Sequence, residues 1–248
     1  MAKKSSKNTT NTKGVSLISQ FREVLGKDGL GKESTWEPTF RTGFDVFDYR
    51  NGKIEDDEIS IGIEGGKILY IIGKPGTGKT SWVIQLACNI ADQYENSQVL
   101  HFDVERATGR TRVRQITGWS LEKFNQNYIH MEEGLTTESF YKTIKAIANI
   151  KKQNFEELKI SSGKYDHNGN EIFYLPPTVF ILDSLAVLTP ENIESEEELS
   201  GNMSATAIAR ANTAVFKRIM SSIKSANIIL IVINHINQKV EVNPMVKT

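Results

Sequence analysis

The chain has 248 residues, 39% hydrophobic and 24% charged, the balance of a soluble globular protein with room for one large α/β domain or two small ones. Thirty basic residues offset thirty acidic ones, so no global basic field advertises a nucleic-acid partner, and any DNA site must be a local patch. The single cysteine, Cys88, excludes a disulfide framework and fits a reducing cytoplasm, while no apolar run nears the roughly 20 residues that span a bilayer and the N-terminus lacks a secretory core.

Residues 1–14, "MAKKSSKNTTNTKG", are polar and basic and read as a disordered tail. Residues 15–39 read as an N-terminal helix and linker serving oligomerisation. Val15, Ile18, Phe21 and Leu25 fall at helical spacing, with Gly26 as a stop. "TFRTGFDVFDYRNGKIEDDEISIGIEGG" is turn-rich with short apolar alternations and predicts strand and hairpin pieces leading into a core over residues 40–248.

The core opens with "KILYII", a short β-prone run, then "GKPGTGKT", then a helix over "SWVIQLACNIADQY" with Val83, Leu86, Ala87, Ile90 and Ala91 on one face. Strand, glycine-rich loop and helix in that order give the G-x-x-x-x-G-K-[ST] pattern its specificity. Gly73, Gly76 and Gly78 let the backbone curl and aim N–H groups at phosphate oxygens, with Lys74, Pro75, Thr77 and Ser81 completing the cradle. Lys79 reaches the outer phosphates and Thr80 places its hydroxyl on Mg²⁺. Cys88, on the buried face of this helix, reads as a small core residue.

"VLHFDVE" predicts a strand ending in Glu105, which from position alone is equally a water-orienting base or a strand-capping glutamate in solvent. Arg106, Arg110, Arg112 and Arg114 come next, a run that serves phosphate, DNA or a neighbouring subunit, or simply forms a solvated face. "TTESFYKTIKAIANIKKQ" predicts an amphipathic helix capped by Thr136 or Thr137. Residues 155–177 read as a surface hairpin insertion turning at Asn168–Gly169. Asp166, Asn168 and Asn170 imitate a calcium loop, but the glycine falls at the fourth position and Pro177 stands where the glutamate belongs. "TVFILDSLAVL" predicts a buried parallel strand ending in Asp183, a Walker B carboxylate for the Mg²⁺ water shell. A helix from about Ser204 to Ser225, with Ile208, Ala211, Val215, Ile219 and Ile223 inward, precedes a buried strand "IILIVIN" ending at Asn234 and His235. The alternation is that of a parallel α/β sheet flanked by helices. Composition and spacing alone support a Mg²⁺-dependent P-loop ATPase.

Together "FRTGFDVFD", "GKPGTGKT", "HFDVERA", "FILDSLAVL" and "IVINH", in this order from about Phe40 to His235, resemble the RecA recombinase family, and within it the phage recombinases of the UvsX type. The resemblance implies a RecA-like P-loop core using ATP and Mg²⁺, with Glu105 activating water, Asp183 and Thr80 at the metal, and His235 sensing the γ-phosphate. It implies a DNA-dependent ATPase that forms a helical filament, or a ring, on single-stranded DNA and pairs it with homologous duplex DNA, helped by single-strand-binding and loader proteins in a host cytoplasm. The family's first DNA loop corresponds to Glu191–Ser204, where Arg210, Lys217 and Arg218 lie near enough to supply charge. The second begins at "INQKVEVNPMVKT", with Lys239. The chain stops inside that loop, so the resemblance implies a core lacking its last strands and an apolar sheet edge left unpaired. Two rivals share these motifs: a DnaB-type hexameric helicase, and a non-catalytic ATP-binding mediator of recombination.

Overall fold

The computed structural model describes residues 36–55, 58–166, 168–194 and 201–236, all but Trp36 within the compact unit Glu37–Thr248. The tail, the helix expected at 15–26 and Lys239 lie outside the described residues.

The lead-in comprises β1 (Thr39–Phe40), α1 (Asp45–Asn51), β2 (Lys53–Glu55), β3 (Glu58–Ser60) and β4 (Ile63–Glu64). β1 pairs antiparallel with β4 and β2 with β3, so the stretch holds the expected strand and hairpin pieces, in a pairing that the alternation does not specify. The helix α1 was not predicted. Asp45 and Asp48 stand in its first turn, where carboxylates complement the helix dipole, and Phe44 and Phe47, three residues apart, both pack on Trp82. Buried Asp48 accepts from Thr42 N at 2.9 Å and Thr42 Oγ1 at 2.6 Å, and from Arg41 Nε at 3.1 Å. Gly43 has φ of +80°, and a Cβ there would stand 2.6 Å from Asn89 Nδ2, whose amide donates to Thr42 O. The lead-in is thereby stapled to the helix after the glycine-rich loop.

β5 (Ile68–Gly73), α2 (Lys79–Ala91), β6 (Gln98–Asp103), α3 (Arg110–Thr117), α4 (Leu121–Asn127) and β7 (Tyr128–Met131) come next. Beyond them lie α5 (Thr137–Gln153), α6 (Phe155–Leu158), β8 (Ile160–Tyr165), β9 (Glu171–Tyr174), β10 (Thr178–Asp183), a 3-10 turn at Leu185–Val187, α7 (Glu191–Glu194), α8 (Gly201–Ser225) and β11 (Ile228–His235). Five strands form one sheet in the order β5-β11-β10-β6-β7, every neighbouring pair parallel. This is the expected α/β, RecA-like core. Central β10 is buried along its whole length. Its odd-numbered residues Val179 and Ile181 join Val99, Ile229 and Ile231 against Val83, Leu86 and Ile90 of α2. Its even-numbered Phe180 and Leu182 join Leu100, Phe102 and Leu230 against Phe140 and Ile144 of α5 and Ile219 and Ile223 of α8. Period-two alternation thus supplies two cores from one set of strands.

Thr136 caps α5: its hydroxyl accepts from Ser139 N at 3.1 Å while Ser139 Oγ accepts from Thr136 N at 2.8 Å. α8 starts at Gly201, ahead of the expected Ser204, and of its predicted inward row Ile208, Ala211 and Val215 are only partly buried. β8 and β9 form the predicted hairpin, preceded by the short α6. Asp166 Oδ1 accepts from Asn168 N at 2.9 Å and Asn170 N at 2.8 Å, so the imitation calcium string is a turn staple. β5 is an edge strand: among the described residues nothing pairs with its outer side, and Tyr70 and Ile72 are 43% and 56% exposed.

Lys151, buried near the end of α5, donates to Pro176 O at 2.6 Å and Thr178 Oγ1 at 2.9 Å. Burial lowers its pKa to about 7. Between that value and the ordinary lysine value the unfolded chain keeps a proton that the folded chain has released, so stability rises with pH across this window, by up to about 1.4 kcal/mol per pH unit. Urea unfolding from pH 7 to 9 should show the wild type gaining on Lys151→Met. Parallel pH profiles for the two proteins would show that Lys151 keeps its ordinary affinity for protons.

Candidate active site

β5 stops at Gly73 and α2 begins at Lys79, two residues before the predicted start at Ser81. The intervening loop turns through Gly76 and Gly78, at φ of +76° and +81°. A Cβ at either would meet nothing within 4 Å, so glycine is required there by the torsion rather than by crowding. Gly78 caps α2 without a side-chain hydrogen bond, and no acidic residue stands in the first turn. The leading N–H groups and the positive end of the dipole are therefore left for an anion. Lys74, Pro75, Gly76, Thr77 and Gly78 are exposed along this loop. Thr77 Oγ1 donates to Lys74 O at 2.9 Å. Lys79 Nζ lies 3.0 Å from Gly73 O, 2.8 Å from Lys74 O and 3.3 Å from His235 Nδ1.

Parallel register sets the rest. His235 is the partner of Gly73 across β11 and β5, and Asp183 is the partner of Asp103 across β10 and β6. Thr80 Oγ1 donates to Asp183 Oδ2 at 2.7 Å, while Asp183 Oδ1 is buried without a hydrogen-bond partner among the described residues. Burial, with the charges of Glu105 and Asp103, raises the Asp183 pKa to about 6 against the lowering effect of Thr80. A hydroxyl and an under-partnered buried carboxylate are the hard oxygen donors that suit Mg²⁺, so the residues fit that ion.

The strand bearing Glu105 is shorter than predicted. β6 ends at Asp103, and Glu105 sits on the turn beyond, where Val104 N and Glu105 N both donate to Asp183 O, at 2.6 and 3.3 Å. Asp103 Oδ1 and Oδ2 accept from Ala107 N and Thr108 N at 3.2 and 3.0 Å, fixing the turn from its other side. Glu105 Oε1 receives Ser184 Oγ at 2.5 Å and His235 Nε2 at 2.6 Å. Because the Lys79 ammonium can only donate, His235 Nδ1 accepts and Nε2 carries the proton given to Glu105. Lys79, His235, Glu105 and Ser184 form one chain beside the Thr80–Asp183 pair.

Other candidates scatter. Arg112 Nη2 comes within 3.5 Å of Ser81 Oγ in the first turn of α2, whereas Arg114 Nε turns away to Trp119 O at 3.3 Å. Arg210, Lys217 and Arg218 are exposed on α8. Lys217 lines a groove of about 640 Å³ with Tyr70, Leu185, Ile208 and Phe216, and neither arginine reaches it. His101, Asp103 and His130, to which the sequence pattern assigns no role, gather beside Asp183. The alternation H-x-D within "VLHFDVE" was the available signal, but the third member lies on β7, a strand the sequence reading did not assign.

A stretch of 77 residues, 31% of the chain, is 34% identical to the DNA repair and recombination protein RadB of Methanobrevibacter smithii, covering 32% of that protein. Another match, 41% identical over 66 residues, is to RadB of Archaeoglobus fulgidus, covering 27% of the chain and 28% of the relative. Part of this chain is similar to archaeal RadB. The chain matches about a third of the length of these curated relatives. No family profile matches it. Both RadB relatives are archaeal, so the similarity supports recombination proteins in general and not the phage branch.

Asp183's raised pKa means that its folded-state contribution is favourable below its unfolded value of 3.8 and is lost as pH rises through about 6. In metal-free buffer at pH 7.5, Asp183→Asn should therefore unfold at higher denaturant, by about 1–3 kcal/mol, with the gain vanishing below pH 4. Equal stabilities at pH 7.5 would mean that the ionised carboxylate carries no burial cost.

Proposed function

We propose that the chain is a RecA-type ATPase acting on DNA in recombination and repair. The observation that carries this reading is the convergence of Lys79, Thr80, Glu105, Asp183 and His235 at one end of the parallel sheet. The similarity to RadB supports the recombination setting.

When bound, Mg²⁺ supplies positive charge to the phosphates of ATP. The chain's own residues do the remainder. The loop from Gly73 to Gly78 and the leading N–H groups of α2 bind the phosphates, and Lys79 adds its ammonium. Thr80 and Asp183 would hold the ion. Glu105 orients the attacking water and takes its proton, with its carboxylate aimed by Ser184 and by His235. His235 touches both Lys79 and Glu105, so it is placed to sense the γ-phosphate. ATP binding would then favour a filament of this chain on single-stranded DNA, as in UvsX-like strand exchange with homologous duplex. Arg210, Lys217, Arg218 and Lys239 would contribute local positive charge, residues 15–39 self-association, and single-strand-binding and loader proteins assistance in a host cytoplasm.

ATP turnover and nucleotide binding, measured separately, test the assignment. Lys79→Ala should abolish turnover. Glu105→Gln should bind nucleotide as the wild type does but hydrolyse it about 10²–10⁴-fold more slowly. Turnover equal to wild type in Glu105→Gln would remove Glu105 from the mechanism.

A further inference from the structure

Beside the phosphate site, β6 and β7 carry a cluster the ATPase chemistry does not use. His101 and His130 are register partners on these strands, and Asp103 comes after His101 at the next position on the same side. The two imidazoles stack at 5.1 Å between centroids and 19° between planes. One ligand atom from each of His101, Asp103 and His130 lies within 4.8 Å of the other two. His101 and Asp103 are fully buried and the His130 side chain is nearly so.

We propose that His101, Asp103 and His130 form a binding site for a divalent transition metal of zinc type. Two imidazoles and a carboxylate are a donor set that suits zinc, with bonds of about 2.0–2.2 Å and neighbouring donors roughly 3.3 Å apart around a tetrahedron. His130 Nε2 and Asp103 Oδ2 already stand 3.1 Å apart. The third donor is His101 Nε2, a buried nitrogen with no hydrogen-bond partner among the described residues, which a native core rarely tolerates without reason. Asp183 Oδ2 stands 3.9 Å from it, beyond hydrogen-bonding reach.

The surroundings match a metal's outer shell. A ligating histidine gives its other ring N–H to an oxygen, which fixes the tautomer. His101 Nδ1 lies 2.8 Å from Tyr128 Oη, and His130 Nδ1 lies 3.5 Å from Glu132 Oε1. Asp103 is oriented by the N–H groups of Ala107 and Thr108. Burial holds the His101 ring neutral, the form that ligates. Charge favours a cation too: Asp103 and Asp183 are register partners with Glu105 close by, and the charges of Asp103 and Glu105 work against ionisation of Asp183. This site is independent of the ATPase reading, and Mg²⁺, a hard ion, does not compete well for imidazole.

The test is zinc titration by calorimetry on the full chain, stripped of metal and held in excess Mg²⁺, with metal content measured after dialysis. One equivalent of zinc should bind wild type and His235→Gln alike and raise the melting temperature of both. His130→Gln should lose binding, and Glu132→Ala, a change at the cluster's outer side, should weaken it about 10–100-fold. Cobalt(II) in place of zinc should give the visible bands of a four-coordinate N/O site in wild type and not in His130→Gln. If His130→Gln does not fold, Glu132→Ala and the cobalt spectrum of wild type decide. Sub-stoichiometric zinc in wild type, undiminished affinity in Glu132→Ala, or loss of zinc in His235→Gln would each overturn the proposal. The last would place the ion at the phosphate site instead.

Discussion

Everything chemical in this chain depends on the parallel register of β5, β11, β10 and β6. Odd-numbered residues of these strands face α2: Val179 and Ile181 on β10, Val99 on β6, Ile229, Ile231 and Ile233 on β11. Continue the rows of β10 and β11 by one step and that of β6 by two, and they end in Asp183, in His235, and in His101 and Asp103. Burial of the apolar members therefore aims the polar ones, because a slip of one residue would send both sets to the opposite face. The apolar cost of that slip falls on the core, while its chemical consequence falls on the site. The same rows on the even-numbered side run through Phe180, Leu182 and Leu230 into α5 and α8.

Two aspartates in register end up with opposite electrostatic fates. Burial pushes the pKa of each upward, yet Asp103 finishes below its usual value because the His130 hydrogen bond and the N–H groups of Thr108 and Ala107 work against that burial. Among the described residues Asp183 has Thr80 alone as a side-chain hydrogen-bond donor and leaves one oxygen without a partner, and it finishes at about 6. A buried carboxylate with too few donors is poorly suited to stability and well suited to a cation, which would supply what the protein withholds. The backbone beyond each strand makes the difference between the two residues. After β6 the turn folds back and gives its N–H groups to Asp103. The N–H groups of Val104 and Glu105 reach β10 instead, and they go to the carbonyl of Asp183 and leave its carboxylate alone.

The sheet and the phosphate loop were legible because their signals are local. A strand, three glycines, a lysine and a threonine fall within one stretch, and "TVFILD" is apolar on both faces, which marks a central strand before any partner is known. The features that were not legible depend on contacts across the chain. The helix at Asp45–Asn51 looked like strand because its apolar positions are few and its support comes from Trp82, some 35 positions on. The end of β6 was placed at Glu105 because the sequence does not show that Val104 and Glu105 bond to Asp183. The His101–Asp103–His130 cluster required knowing that "YIHM" is a strand and that His130 falls opposite His101, a register no local pattern sets.

On the proposed ATPase reading, the geometry around Lys79 would give the phosphate end of the site a path to the water end. An ammonium has three N–H groups, and here the three have acceptors: Gly73 O, Lys74 O and His235 Nδ1. A phosphate that takes one of these N–H groups must compete with a loop carbonyl or with the imidazole. The two carbonyls belong to the loop's own backbone, whereas the imidazole is tied at its other nitrogen to Glu105. Releasing Nδ1 leaves the ring free to turn or to change tautomer, and either event alters the proton that Glu105 accepts. Coupling between charge on the phosphates and the orientation of the carboxylate would then need one side chain and no movement of the sheet. The strands that carry Gly73 and His235 are paired at these two residues, so on the proposed ATPase reading the signal would need only rotation about the bonds of a single histidine.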